Sequence, residues 1–150
     1  MSDLILRNAE ERDVPALKSL TLELRGLAEI ETPSFQTDFH KVFSLCIDDP
    51  KCHIIVAERG AQILGHLTLW LRPCLSHAGL CALIDELIVA EGARGQGMGR
   101  ELLEEALKRA HEAGCVEIEV STGFDNEPAQ SLYRSQGFEE RGLLFERDIA

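Results

Sequence analysis

Residues Leu80 to Gly114, LCALIDELIVAEGARGQGMGRELLEEALKRAHEAG, run an apolar stretch into three closely spaced glycines and then into a strongly helical pattern. The first part, LCALIDELIVA, reads as a central strand buried on both faces. Met98, Leu102, Ala106 and Ala110 then recur at helical spacing over about Met98 to Ala113. Glu104–Lys108 and Glu105–Arg109 are supporting i,i+4 pairs, and Gly114 is a fitting stop. Strand, glycine turn and helix in that order demand a fold mixing both element types. Gly95, Gly97 and Gly99 weaken the mouth of this helix, because glycine loses more backbone entropy on folding than any other residue. A close approach to the backbone would justify that cost.

The first turn of a helix has free amide N–H groups, and its dipole favours negative charge. Three glycines flanked by Arg94 and Arg100 therefore suit an anion such as a phosphate. A tight turn with no ligand is the plainer reading, and the cluster as a whole weighs against it. The dinucleotide fingerprint G-x-G-x-x-G fails because its third glycine position is Leu102. A Walker loop fails because Gly99 is followed by Arg100 and Glu101 rather than by Lys and Ser or Thr. The pyrophosphate of a different cofactor remains.

Elsewhere, LILRNA (4–9) alternates as a strand, and RDVPALKSLTLELRG reads as a helix with Pro15 in its first turn. Val14, Leu17, Leu20 and Leu24 share one face of it. Ser34 is a candidate cap for a second helix, FQTDFHKVFSLCID, with Phe35, Phe39, Val42, Phe43 and Cys46 inward. CHIIVAE (52–58) and ILGHLTLWL (63–71) form a hairpin about RGAQ. CVEIEVS (115–121) is a further strand. NEPAQSLYRSQG is a helix capped by Asn126 and ended by Gly137. FEERGLLFERDI predicts a closing hairpin. The order β-α-α-β-β-β-α-β-α-β-β is a mixed α/β or α+β fold on one sheet, expected as a single domain over residues 1–150.

A net charge of −11 argues against nucleic acid or an anionic membrane as partner, since either would call for a basic patch. The same charge suits a cationic partner such as an amine, although acidity also serves solubility. The five cysteines have no C-x-x-C pair and the five histidines no H-x-x-x-H pair, so neither a disulfide framework nor a metal site is expected. No signal peptide and no membrane span is visible, which makes a cytoplasmic protein the default expectation.

The glycine turn resembles the cofactor motif [RQ]-x-x-G-x-[GA] of the GCN5-related N-acetyltransferase (GNAT) superfamily, here Arg94-Gly95-Gln96-Gly97-Met98-Gly99. A second segment supports it. The pattern N-x-x-A-x-x-L-Y-x-x-x-G-F is met by Asn126, Ala129, Leu132, Tyr133, Gly137 and Phe138. The resemblance extends over nearly the whole chain. It implies a mixed, mostly antiparallel sheet splayed at its fourth and fifth strands, with helices on both faces. It implies acetyl-CoA as donor, no metal, and a primary amine as acceptor. Amides from Gln96 to Arg100 would hold the pyrophosphate, and the backbone of Leu87, Ile88 and Val89 would meet the pantetheine arm. An amide of Leu87 or Ile88 would stabilise the developing oxyanion.

Tyr133, the single tyrosine, occupies the family's general-acid position and would protonate the departing thiolate. The attacking amine must first lose a proton, and Asp85 and Glu86 lie just before the pantetheine stretch. IDELIV resembles the segment in polyamine acetyltransferases where acids meet the amine. Regular alternation puts these two acids on opposite faces unless a bulge intervenes; Glu86 is the favoured base and Asp85 the second candidate. Acceptor choice would fall to LRGLAEIETPSFQTDF, with Glu29, Glu31 and Asp38 and with Glu23 just before it, and to RPCLSHAGL. A small cationic amine fits that acidity. A peptide or protein acetyltransferase and a non-catalytic acyl-CoA-binding module are the alternatives. Such proteins often pair as dimers, so a homodimer is also among the expectations.

Overall fold

The computed structural model describes residues 3–149. Five strands form one sheet in sequential order: β1 (Ile5–Asn8), β2 (Cys52–Arg59), β3 (Gln62–Cys74), β4 (Gly79–Val89) and β5 (Glu117–Val120). The first four are antiparallel neighbours, and β5 runs parallel to β4. Four helices accompany them: α1 (Val14–Ala28), α2 (Phe35–Asp48), α3 (Met98–Glu112) and α4 (Glu127–Ser135). The expected mixed sheet, splayed between β4 and β5 and covered on both faces, is the observed architecture.

The faces follow from side-chain alternation along the strands. Leu67 and Leu69 of β3 and Ala82 and Ile84 of β4 meet Met98, Leu102, Leu103, Ala106 and Ala110 of α3 in a solvent-free cluster. The opposite face carries Val56, which packs with Ala9, Leu17 and Phe43 beneath α1 and α2. Gly65 allows the close approach of α3. A Cβ there would stand 3.0 Å from the Ile88 carbonyl oxygen and 3.2 Å from Leu102 Cδ1.

Two expectations fail. Val42, predicted to face inward, is half exposed, because the buried stripe of α2 runs through Phe39 and Phe43. The closing hairpin over 138–149 does not form: none of these residues is in a strand, and Leu143, Leu144, Phe145 and Ile149 face solvent. Alternation of residue type in FEERGLLFERDI mimics strands, but the segment has no sheet surface beneath it on which to bury the apolar half.

Candidate active site

Between β4 and α3 the chain makes a 3-10 turn over Glu91–Ala93 and then passes through the glycines. Gly95 and Gly97 adopt left-handed φ angles of +78° and +83°, and Gly97 is the N-cap of α3. That conformation is cheap only for glycine. A Cβ at either position would meet nothing within 4 Å, so the space over the turn is open. Gly99 has a different reason. Its Cβ would touch Leu132 Cδ2 at 3.5 Å and Val89 Cγ2 at 3.8 Å, where α3, α4 and β4 converge. The amides of Met98, Gly99 and Arg100 belong to the first helical turn and have no intrahelical acceptor. Met98 buries its side chain in the core and so faces the opening with backbone alone.

The arginine of the motif is a brace. Arg94 Nε donates to the Val89 carbonyl at 2.9 Å, and its terminal nitrogen meets Glu23 Oε1 at 2.6 Å. Glu23 also accepts the Glu91 amide at 3.0 Å, so α1 clamps the entrance of the turn. Glu23 is therefore committed to the loop, not available to attract an acceptor. Gln96 Oε1 accepts a hydrogen bond from Arg59 at 2.9 Å, while the Arg100 side chain is exposed. Arg59 and Glu23 carry no sequence signal for this work, since both act across long separations in the chain.

β4 lies between β3 and β5, and its two acids sit at an irregularity. Thr68 pairs with Glu86 and Leu69 with Ile84, leaving Asp85 as the extra residue of a bulge. Trp70 lies beside Asp85 and Thr68 beside Glu86, and each neighbour favours the ionised carboxyl. Thr68 and Trp70 are two residues apart on β3 and share a face, so both acids point the same way. That face lies under α1 and α2. His66, on the same face, has Nε2 3.4 Å from the Thr21 hydroxyl of α1, and both acids act electrostatically on the Cys46 thiol of α2.

Partial desolvation raises both carboxyls above their ordinary range, although Asp85 itself is exposed and Glu86 only partly buried. For Glu86 the negative Asp85 beside it adds to the rise, and the neighbouring Thr68 opposes it. Burial also lowers His66 to about 4, which keeps it neutral, and pushes the Cys52 thiol up to about 12.

The β4–β5 ladder pairs Cys81 with Glu117 through Ile84 with Val120, and there it stops. Beyond that point β4 continues through Asp85 and Glu86 to Leu87, Ile88 and Val89, with β3 on one side and no β5 partner on the other. The β5-side edge of β4 is therefore unpaired from the acids to Val89, just before the glycine turn. α4 borders the same region. Asn126 caps it, its side-chain oxygen accepting the Ala129 amide at 3.2 Å, which occupies that amide. Tyr133 packs tilted against Phe138 with ring centroids 5.9 Å apart, and burial raises its phenol further above neutrality.

A family model described as "Acetyltransferase (GNAT) family" matches residues 20–138, from α1 to the end of α4. The chain belongs to the GNAT acetyltransferase family. It is accordingly an acetyl-CoA-dependent N-acetyltransferase. It is 29% identical over 144 residues to the aminoalkylphosphonate N-acetyltransferase of Salmonella typhimurium strain LT2, covering 96% of this chain and 90% of that one. The L-amino acid N-acetyltransferase AaaT of Escherichia coli K12 is 27% identical over 148 residues, 95% of this chain and 86% of the relative. Among solved structures, a putative acetyltransferase from Agrobacterium tumefaciens strain C58 superposes with a TM-score of 0.82 at 26% identity, covering 96% and 99% of the two chains.

Proposed function

We propose that this acetyltransferase moves the acetyl group of acetyl-CoA directly to the primary amine of a small cationic molecule within a ternary complex. The observation that carries the reading is the end of the β4–β5 ladder at Ile84 and Val120, immediately before the bulged Asp85 and Glu86. The unpaired edge of β4 then has the carboxylates at one end and the glycine turn just beyond the other. In this reading the pyrophosphate sits on the amides from Gln96 to Arg100, with Gly95 and Gly97 keeping the backbone clear. Arg94 holds the turn in place from beneath. The pantetheine arm runs along Leu87, Ile88 and Val89 as the missing strand neighbour, and Asn126 and Ala129 line its other side.

Glu86 takes a proton from the ammonium, directly or through a water, and Asp85 helps hold the cation. The amine nitrogen then attacks the thioester carbonyl carbon. A Leu87 or Ile88 amide stabilises the oxyanion. Collapse breaks the carbon–sulfur bond, the thiolate takes the Tyr133 proton to leave as CoA, and the surplus proton on the acetylated nitrogen returns to the Tyr133 oxygen. Both raised pKa directions support these roles. A carboxyl lifted toward neutrality is a better base, and a phenol held protonated is ready to donate. Cys46 and Cys52 are poor nucleophiles because burial keeps their thiols protonated, which favours direct attack over an acyl-cysteine relay. The names of the relatives, acting on an aminoalkylphosphonate and on amino acids, support a small acceptor.

The test is thiol release from acetyl-CoA against separate pools of polyamines, aminoglycosides, aminophosphonates, amino acids and short peptides. Release with a small-amine pool is the expected result. Release with peptides alone would replace the acceptor class, and acetyl-CoA binding without release from any pool would favour the binding-module alternative.

A further inference from the structure

At the opposite end of β4 from the glycine turn, the β3–β4 hairpin gathers a second set of reactive side chains. Cys74, His77 and Cys81 place their ligand atoms within 4.8 Å of one another. The sheet explains why. Cys74 pairs with Gly79 and Arg72 with Cys81, so Cys74 and Cys81 lie on the same face two positions apart, and the turn folds His77 back over them. In the next strand Glu117 is the register partner of Cys81, on the same face again. Its Oε1 stands 3.2 Å from His77 Nε2.

We propose that this cluster is a zinc(II) site, held by the two thiolates and the His77 imidazole. Two thiolates and an imidazole are the donor set that zinc prefers over magnesium or calcium. A carboxylate on one ring nitrogen of a ligating histidine fixes its tautomer, and Glu117 on Nε2 leaves Nδ1 for the metal. Two sulfurs at ~2.3 Å from one zinc stand roughly 3.8 Å apart. Ligand atoms within 4.8 Å of one another therefore need only a small closing movement, and Cys74 and His77 lie on or beside an exposed hairpin tip. Binding releases the two thiol protons. The Ser76 hydroxyl stands 3.3 Å from Cys74 Sγ.

The consequence is structural. β5 has four residues, all of them paired to β4 within the Cys81–Ile84 stretch. Metal at the hairpin tip, with Glu117 on its histidine, fixes the start of β5 against β4. That positions β5 beside the unpaired edge of β4 without any contact to the reacting groups. Spacing alone hides this site, because C-x-x-H-x-x-x-C matches neither pattern sought in the sequence.

Cobalt(II) is the probe. The fully reduced, metal-stripped full-length protein should take up one equivalent and develop thiolate-to-cobalt charge-transfer absorption, bleached by one equivalent of zinc(II). Cys74→Ser, Cys81→Ser and His77→Ala should each lose at least about tenfold in affinity, since even an outer-shell partner of a ligand is worth ~10–100-fold. The Cys46→Ser/Cys52→Ser double variant, which removes the other close thiol pair, should bind as the wild type does. Zinc should also raise the thermal midpoint of the wild type and not that of His77→Ala. Absence of the bands in reduced protein, or unchanged bands in Cys74→Ser, would overturn the site. So would a Cys74–Cys81 disulfide whose reduction restores no metal uptake.

Discussion

At the scale of single residues the proposed chemistry turns on two groups with displaced proton affinities. The Glu86 carboxyl is raised by burial and by Asp85, so its basic form dominates only above the ordinary carboxylate range. The acid limb of the pH profile of kcat/KM should therefore lie above that range. Glu86→Gln should flatten this limb and lower kcat by about 10²-fold, the usual scale for a lost general base. Unchanged kcat with the limb intact would remove Glu86 from the mechanism. The same substitution removes a carboxylate that burial penalises, so urea unfolding at neutral pH should show the variant more stable by about 0.5–2 kcal/mol. The sign is set by the raised pKa. The gain is present where the wild-type carboxyl is ionised and vanishes as pH falls below its unfolded value near ~4.3. Tyr133→Phe keeps the ring that packs on Phe138 and loses only the proton. It should keep its unfolding midpoint, and kcat should fall by at least about tenfold.

At the scale of elements, what was legible is what local pattern controls. The helical repeat of Met98, Leu102, Ala106 and Ala110, the cap at Asn126 and the glycine turn are all present as read. What was not legible depends on partners distant in sequence. Alternation along IDELIV says the two acids point apart, and only pairing with β3 shows the bulge that aims them together. Arg94 looks from its spacing like an anion ligand, and only the fold brings Glu23 and the Val89 carbonyl to it. The closing hairpin failed for the complementary reason, since an alternating segment becomes a strand only where a neighbour offers a ladder. Gly65 is the element-scale test of packing. Gly65→Ala should cost about 1–3 kcal/mol in urea unfolding, because Ile88 backbone, not a flexible tip, faces the new methyl at 3.0 Å. A neutral result would mean that α3 sits less tightly on β3 than described.

At the scale of the molecule, a partly buried ion cluster ties β1, β2 and the turn before α1 together. Arg7 of β1 grips Asp13 with both terminal nitrogens, at 2.7 and 2.9 Å, and Glu58 of β2 at 2.7 Å. Asp13 is 4% exposed and also accepts the Glu10 amide at 2.7 Å. The Arg7 guanidinium holds the Asp13 carboxyl below its usual range. Its contribution is thus fully present above the unfolded value near ~3.9 and is lost as pH falls through the lower folded value. Asp13→Ala should cost about 3 kcal/mol at neutral pH, because it leaves a half-paired arginine, and the deficit should shrink in strong acid. The charge balance of the whole chain, −11, is consistent with the cationic acceptor proposed above.

The central claim is that the glycine turn before α3 holds the pyrophosphate of acetyl-CoA, and calorimetric titration of acetyl-CoA into paired Gly97 variants tests it most directly. Asn and Asp both tolerate the left-handed φ of +83° at Gly97, and a Cβ there meets nothing within 4 Å, so both variants should fold alike. They differ in charge. The predicted result is that Gly97→Asp binds acetyl-CoA at least about tenfold more weakly than Gly97→Asn, a repulsion of about 1.4 kcal/mol, with a difference that narrows as salt is added. Equal affinities for the two variants would contradict the claim.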